Sequence, residues 1–370
     1  MVDVGCSPYE NAEVDVKMTS IISKTERSAK NLCKGIYDTT KLNYGVLNPK
    51  YLWFEVTDRC NSRCEYCSIH KKTPTPNPLS ADETKKILSS PLFRNVRYII
   101  NSGGEPTVRA DLLEILLAEH TALPKATIQL STNALLPDRA LSVVSELLRR
   151  KINVEVGISL DGIGDAHDEI RGVKGNFQKV DFLVKQLRQM KAAVSLGSTL
   201  TNKNLTNNLQ AREHSKALNV PFMYHWFNQS GFYANEHSQR AQSYQTTTEM
   251  IQAVKTTTPP GLYRDMWIRE LNGVQPKFRC FALNAFAVVK CNGDIAPCLS
   301  KWDSIIGNVR NEDPTKVWRS QKAKDIRRSI KHCDGCLNSW GACWSLATSY
   351  YLNLFHKVNE LLRPKKDRVV

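Results

Sequence analysis

Between residues 51 and 227 the chain repeats one alternation. Short apolar, β-branched runs at 51–57, 96–100, 127–131, 154–160, 193–200 and 221–227 are separated by segments whose apolar residues recur at i, i+3/i+4 and i+7. A strand can lie parallel to its successor only after a crossover of a dozen or more residues, usually a helix. This pattern therefore confines the chain to βαβ units around a parallel sheet. The runs are nearly continuous in apolar residues, as in YLWFEVT and VRYII, and read as strands buried on both faces. Ser80 and Glu83 form a capping box before KKILSS, and Pro91 closes that helix. Further helices are expected at 111–120, 138–150 and 176–190, with a weaker one at 204–218. Six strands suit a doubly wound sheet or a partial β/α barrel, and in both the chemistry gathers at the C-terminal strand ends.

The chain has 370 residues, and single cores stop growing near ~250–300, so a second, smaller domain is expected. The breaker cluster TTTPPG (256–261) marks the boundary. Beyond it, FAVVKCNGDIAPC reads as a hairpin around Asn292-Gly293, and VWRSQKAKDIRRSI (317–330) as one helix. The expected organisation is a helical N-terminal extension over 1–50, a barrel over 51–255, a second domain over 256–348 and a C-terminal helix with a basic tail over 349–370.

The first residues show no signal peptide, and no apolar stretch approaches the ~20 residues that span a bilayer. A cytoplasmic setting with reduced thiols is expected, so the odd count of 11 cysteines points to metal ligands or reactive groups rather than bridges. The net charge of +15 fits an acidic partner or simply a basic solvated surface.

Cys60, Cys64 and Cys67 follow the first strand at once, in DRCNSRCEYCSIH. With His70 as a fourth ligand they would close a zinc site. On a [4Fe–4S] cube three cysteines leave one iron open to an outside ligand, as a catalyst requires.

The order CxxxCxxC after a first strand resembles the radical S-adenosylmethionine (SAM) enzymes, and other residues extend the resemblance over about 51–227. Tyr66 stands just before the third cysteine, where the family packs an aromatic residue near the adenine. The second strand ends in Gly103-Gly104-Glu105-Pro106, like the family loop that meets the methionine ammonium. Ser131 and Asn133 end the third strand, Ser159 and Asp161 the fourth, and Arg171 stands where a carboxylate partner is often found. The resemblance implies a partial (β/α)6 barrel whose open cluster binds SAM, breaks it reductively and abstracts a substrate hydrogen through a 5′-deoxyadenosyl radical. It also implies an electron donor such as flavodoxin or ferredoxin. No general acid or base is assigned, although His167, Asp168, Tyr224 and His225 lie near strand ends.

The C-terminal cysteines Cys280, Cys291, Cys298, Cys333, Cys336 and Cys343 resemble the SPASM/twitch extension of that superfamily. Ala347 stands where the two-cluster pattern has a further cysteine, so one auxiliary [4Fe–4S] cluster held by Cys280, Cys298, Cys333 and Cys336 is implied, with substrate oxidation as the outcome. Cys343 is an alternative ligand, whereas Cys291, Cys6 and Cys33 read as bystanders. A structural zinc at this second site is the competing reading. Leu299 occupies the position of an Asp in sulfatase-maturing relatives and counts against that activity. The segment before Tyr51 is shorter than a leader-binding module, which favours a small or carbohydrate-like substrate over a ribosomal peptide. Nucleic-acid and membrane partners are not expected, and the reading from a different class is a non-enzymatic zinc protein that binds nucleic acid.

Overall fold

A computed structural model describes residues 47–201, 203–227, 230–235, 247–258, 261–274, 279–331, 333 and 339–348. Six parallel strands follow in order: β1 (Tyr51–Thr57), β2 (Tyr98–Gly103), β3 (Thr127–Thr132), β4 (Val154–Ser159), β5 (Ala193–Leu200) and β6 (Phe222–Trp226). The helices between them are α1 (Ala81–Leu88), α2 (Leu112–Ala122), α3 (Pro137–Arg149), α4 (Asp165–Arg171), α5 (Asn176–Gln189) and α6 (Leu205–Ala217). The capping box at α1 is present: Glu83 N–H donates to Ser80 Oγ at 3.2 Å, and Ser80 N–H to Glu83 Oε2 at 2.9 Å.

After β6 come α7 (Thr248–Thr257) and α8 (Leu262–Leu271), then β7 (Phe286–Val289), β8 (Asp294–Ala296) and β9 (Gly307–Asn308). The chain continues through α9 (Pro314–Arg319), α10 (Gln321–Lys331) and α11 (Ser339–Thr348). The sheet order is β6-β5-β4-β3-β2-β1-β7-β8-β9. β1 has β7 and not β6 as its second neighbour, so the barrel stays open, as expected for a partial (β/α)6 architecture. The hairpin forms around Asn292-Gly293, with Gly293 at φ 92°. It joins the barrel sheet directly, because β7 pairs parallel to β1 from Tyr51↔Phe286 to Phe54↔Val289.

Two expectations need correction. The helix expected over 317–330 is two helices, broken at Ser320, whose extended ψ of 160° ends α9. Its hydroxyl accepts from Ala323 N–H at 3.1 Å and so caps α10. The second concerns burial. The outward face of the sheet packs in one large core with the helices, through residues such as Phe54, Ile99, Val156 and Leu196. The inward face is different: β4 alternates buried Val154, Val156 and Ile158 with half-buried Glu155, Gly157 and Ser159. β5 does the same with Ser195, Gly197 and Thr199 inward. The strands do not bury both faces in apolar packing; they enclose a cavity. The expected elements over 1–46 and 349–370, with Cys6, Cys33 and Cys336, lie outside the described residues.

Candidate active site

The loop after β1 is held by its neighbours' backbones. Gly104 N–H donates to Thr57 O at 2.7 Å and Glu105 N–H to Arg59 O at 2.8 Å. A β-carbon on Gly103 would lie 2.0 Å from Thr57 O, and one on Gly104 2.0 Å from Arg59 O. The paired glycines thus serve close contact between the ends of β1 and β2. On the other side, α4 ends against the same loop: Arg63 N–H donates to Arg171 O at 3.0 Å, Glu65 N–H to Ile170 O at 2.9 Å, and Ser62 Oγ to Arg171 O at 2.9 Å. Gly172, at φ 66°, lets the chain turn there, since a β-carbon would meet Arg63 O at 2.5 Å. A third strap comes from the segment after β6, where Ser68 N–H donates to Tyr233 O at 2.8 Å and Asn235 Nδ2 to Tyr66 O at 2.9 Å.

Two buried carboxylates brace this framework. Glu105 accepts from Thr107 N–H (3.1 Å), Thr107 Oγ1 (2.6 Å), Thr132 Oγ1 (2.8 Å) and Asn133 N–H (2.7 Å). It ties the ends of β2 and β3 together, and burial holds its carboxyl above the usual range despite those bonds. Asp161 is fully buried and accepts from Tyr66 OH (2.7 Å), Ser198 Oγ (2.8 Å) and Thr199 N–H (2.9 Å). Arg171 Nε lies 2.9 Å from its Oδ2. Burial pushes the Asp161 carboxyl up, but the Arg171 charge, His167 and the hydrogen bonds outweigh it and hold it below the usual range. Arg171 Nη1 also donates to Cys64 Sγ at 3.1 Å, so one buried guanidinium spans Asp161 and a cysteine sulfur.

A cavity of about 200 Å³ lies inside the strand ends. Every described residue expected to meet the first cluster or SAM lines it, from Cys60, Cys64, Tyr66 and Cys67 through the Gly103–Glu105 loop to Ser131, Asn133, Ser159 and Arg171. Tyr66 is spoken for by Asp161, and Asn133 Nδ2 donates to Asn61 Oδ1 at 2.8 Å. His167 takes Asp161 N–H on Nδ1 at 3.1 Å, which leaves the proton on Nε2, facing Asn176 Oδ1. Burial, aided by Arg171, lowers its pKa to about 4, and burial lowers that of His225 to about 4 as well. Both are neutral imidazoles at physiological pH. The pattern also reveals what motif reading missed: Tyr98, Gln129, Glu155, Ser195 and Gly197 line the same cavity. The signal was the period-two alternation of polar or small residues in VEVGIS and AVSLGSTL.

The donors suit a polynuclear centre. Burial pushes the Cys60 and Cys67 thiols up to about 12, with the neighbouring Cys64 adding to both shifts. Three thiolates hold together here only around a cationic centre that supplies the missing charge. Among the described residues no three His, Cys, Asp or Glu side chains converge on a single-metal geometry, neither Cys60, Cys64 and Cys67 alone nor those three with His70. At the C-terminal site, Cys280 and Cys298 are half-buried against the aromatic cluster of Trp53, Phe232, Trp302 and Trp344. Ile330 belongs to that cluster, and Cys333 N–H bonds back to Ile330 O at 3.0 Å. Cys343 is buried on α11 and is engaged in a disulfide, whereas Cys291 is buried beside Thr75, away from the cavity.

Comparison with known proteins agrees with this geometry. Residues 54–203 match the radical SAM superfamily, and residues 280–337 match an iron–sulfur cluster-binding domain, SPASM. The Fe-coproporphyrin III synthase of Methanosarcina barkeri is 32% identical over 158 residues, 42% of this chain and 38% of that protein. The mycofactocin maturase MftC of Mycobacterium tuberculosis is 32% identical over 166 residues, 44% of this chain and 40% of that protein. The chain thus spans about two fifths of the length of these relatives. Among solved structures, SuiB of Streptococcus suis bound to the precursor peptide SuiA superposes with a TM-score of 0.57 at 17% identity, over 86% of this chain and 74% of that one. No helix among the described residues is long and apolar enough to cross a membrane.

Proposed function

We propose that this chain, whose residues 54–203 match the radical SAM superfamily and 280–337 the SPASM iron–sulfur cluster-binding domain, is a radical SAM enzyme that oxidises a peptide substrate, with one auxiliary cluster as electron acceptor. The observation that carries the reading is the cavity that joins the Cys60–Cys67 loop to the ends of β2, β3 and β4. Cys60, Cys64 and Cys67 would hold a [4Fe–4S] cluster with one open iron for SAM. Reduced by an outside one-electron donor, a cluster held there would supply the electron for reductive cleavage of SAM, and through it hydrogen-atom abstraction from carbon.

The remaining work falls to this chain's own side chains. Arg171 places a fixed positive charge beside Cys64 and inside the cavity. Glu105 and Asp161 hold the strand ends in register, so little reorganisation is needed when ligands bind. Phe232, Tyr233 and Leu299 line the cavity with apolar surface, which excludes water and competing hydrogen donors. His167 and His225, both neutral, do not serve as acids near pH 7.

Cys280, Cys298, Cys333 and Cys336 would hold the auxiliary cluster, ready to take the electron left on the substrate after hydrogen abstraction. The peptide assignment departs from the carbohydrate-like substrate expected above; it rests on MftC, named a maturase, and on SuiB, solved with a precursor peptide. Anaerobically reconstituted protein should be brown, hold about eight irons and eight sulfides per chain, and form 5′-deoxyadenosine from SAM and a one-electron reductant. Replacing Cys333 and Cys336 with Ala should remove about half the iron. Colourless protein with zinc and no sulfide would overturn the proposal.

A further inference from the structure

The cavity reaches well below the strand ends where the cofactor residues sit. Tyr98 opens β2 and Glu155 is the second residue of β4, yet both line the same space as Cys60 and Ser159. Four residues separate Glu155 from Ser159, about 13 Å along a strand, so this floor is out of reach of a group held at the cysteine loop. The floor is built from side chains. Tyr98 OH reaches past β3 to donate to Glu155 Oε2, and Gln129, the β3 register partner of Glu155, stands beside it. Above them the glycines make room for neighbouring side chains: a β-carbon on Gly157 would fall 2.5 Å from Gln129 Nε2, and one on Gly197 2.6 Å from His225 Nε2, and all four residues line the same cavity.

Among the described residues Glu155 has no compensating cation: no Lys, Arg or His pairs with it, burial raises its pKa and only the Tyr98 hydroxyl opposes that. A carboxylate that is half-buried, held by one phenol and turned into a cavity lacks the partner that charges withdrawn from water normally have. We propose that Glu155 and Tyr98 form a subsite that anchors a protonated amine of the substrate at the barrel floor. An ammonium supplies the missing charge, and Tyr98 fixes which carboxylate oxygen it meets. This subsite excludes a carboxylate-bearing end group, which would meet Glu155 with like charge. It also sets a length rule: the amine lies on the order of 10 Å from the hydrogen that reacts, since the anchor sits that far below the strand ends. Only this last point depends on the radical SAM reading, because the floor exists without it.

The test uses reconstituted full-length protein with SAM present and three probes, each titrated by calorimetry: N-acetyl-lysine amide, glucosamine and glutarate. The two amines should bind and glutarate should not. Tighter binding of the lysine probe assigns the anchor to a peptide amine, and tighter glucosamine binding to an amino sugar. Glu155→Gln should weaken amine binding by about tenfold or more, the loss of one charge-assisted bond, while Glu155→Asp, which keeps the charge, retains it. Absence of amine binding to the wild type, equal binding of glutarate, or undiminished binding to Glu155→Gln would overturn the proposal. The wild-type contrast between amines and glutarate decides the matter even if a variant fails to fold. Failure of the wild type to form 5′-deoxyadenosine would count against the proposed activity and leave the titration result standing.

Discussion

Glu119 lies on α2 at zero exposure, and Asn101 Nδ2 donates to its Oε2 at 2.9 Å. Its Oε1 and Asn101 Oδ1 are both buried acceptors without a partner, and a proton on Glu119 turns one of them into a donor. Burial raises its pKa to about 8. The folded chain therefore keeps this proton between pH 4.5 and 8 while the unfolded chain loses it, so stability falls as pH rises through that window. Glu119→Gln should abolish this slope, at most about 1.4 kcal/mol per pH unit, seen as a smaller drop in melting temperature from pH 5 to pH 8. At the active site, Arg171→Gln should strand the buried Asp161 charge and cost about 3–5 kcal/mol. Adding Asp161→Asn should recover much of that loss in the same denaturation experiment. The cysteines, the Gly103–Glu105 loop and Arg171 were legible as motif residues. The deeper role of Asp161 was not, since its partners Tyr66, Ser198 and Arg171 come from three distant segments.

Gly103 and Gly104 act at the scale of the element, as the weld between the end of β2 and the cysteine loop. Gly103→Ala or Gly104→Ala would press a β-carbon into Thr57 O or Arg59 O. Both should lower the iron bound per chain after reconstitution. Gly273→Ala is the matched control: its φ is 73°, but nothing lies within 4 Å of a β-carbon there. It should cost only the ~1 kcal/mol of left-handed strain and leave iron binding intact. Equal iron loss in Gly103→Ala and Gly273→Ala would show that backbone strain alone is responsible. The strands and their order of alternation were readable because apolar runs and helical periodicity are local properties. The split of 317–330 at Ser320 was hidden because α9 and α10 share one apolar pattern and only the backbone at the cap separates them. Inward-facing positions were misread because glycine and serine within a strand look neutral until the sheet curls round a space.

At the scale of the molecule, the hairpin that leads to Cys298 is part of the barrel sheet. β7 satisfies the open side of β1 over four register pairs, from Tyr51 to Phe54. A chain ending before Cys280 would expose that edge and the aromatic cluster around Trp53, and edge strands left bare recruit other chains. Such a truncation should be insoluble or oligomeric by size-exclusion chromatography; a soluble monomer with unchanged circular dichroism would refute the coupling. The shared sheet has a further effect. Cys60 comes three residues after β1 and Cys298 two residues after β8, so one thiol of each set stands just beyond a strand of one hydrogen-bonded lattice. The spacing between the Cys60 and Cys298 loops is a dimension of the lattice, as fixed as the pitch of a screw. An electron passing between centres held there would cross a gap that changes only if the sheet itself shifts register.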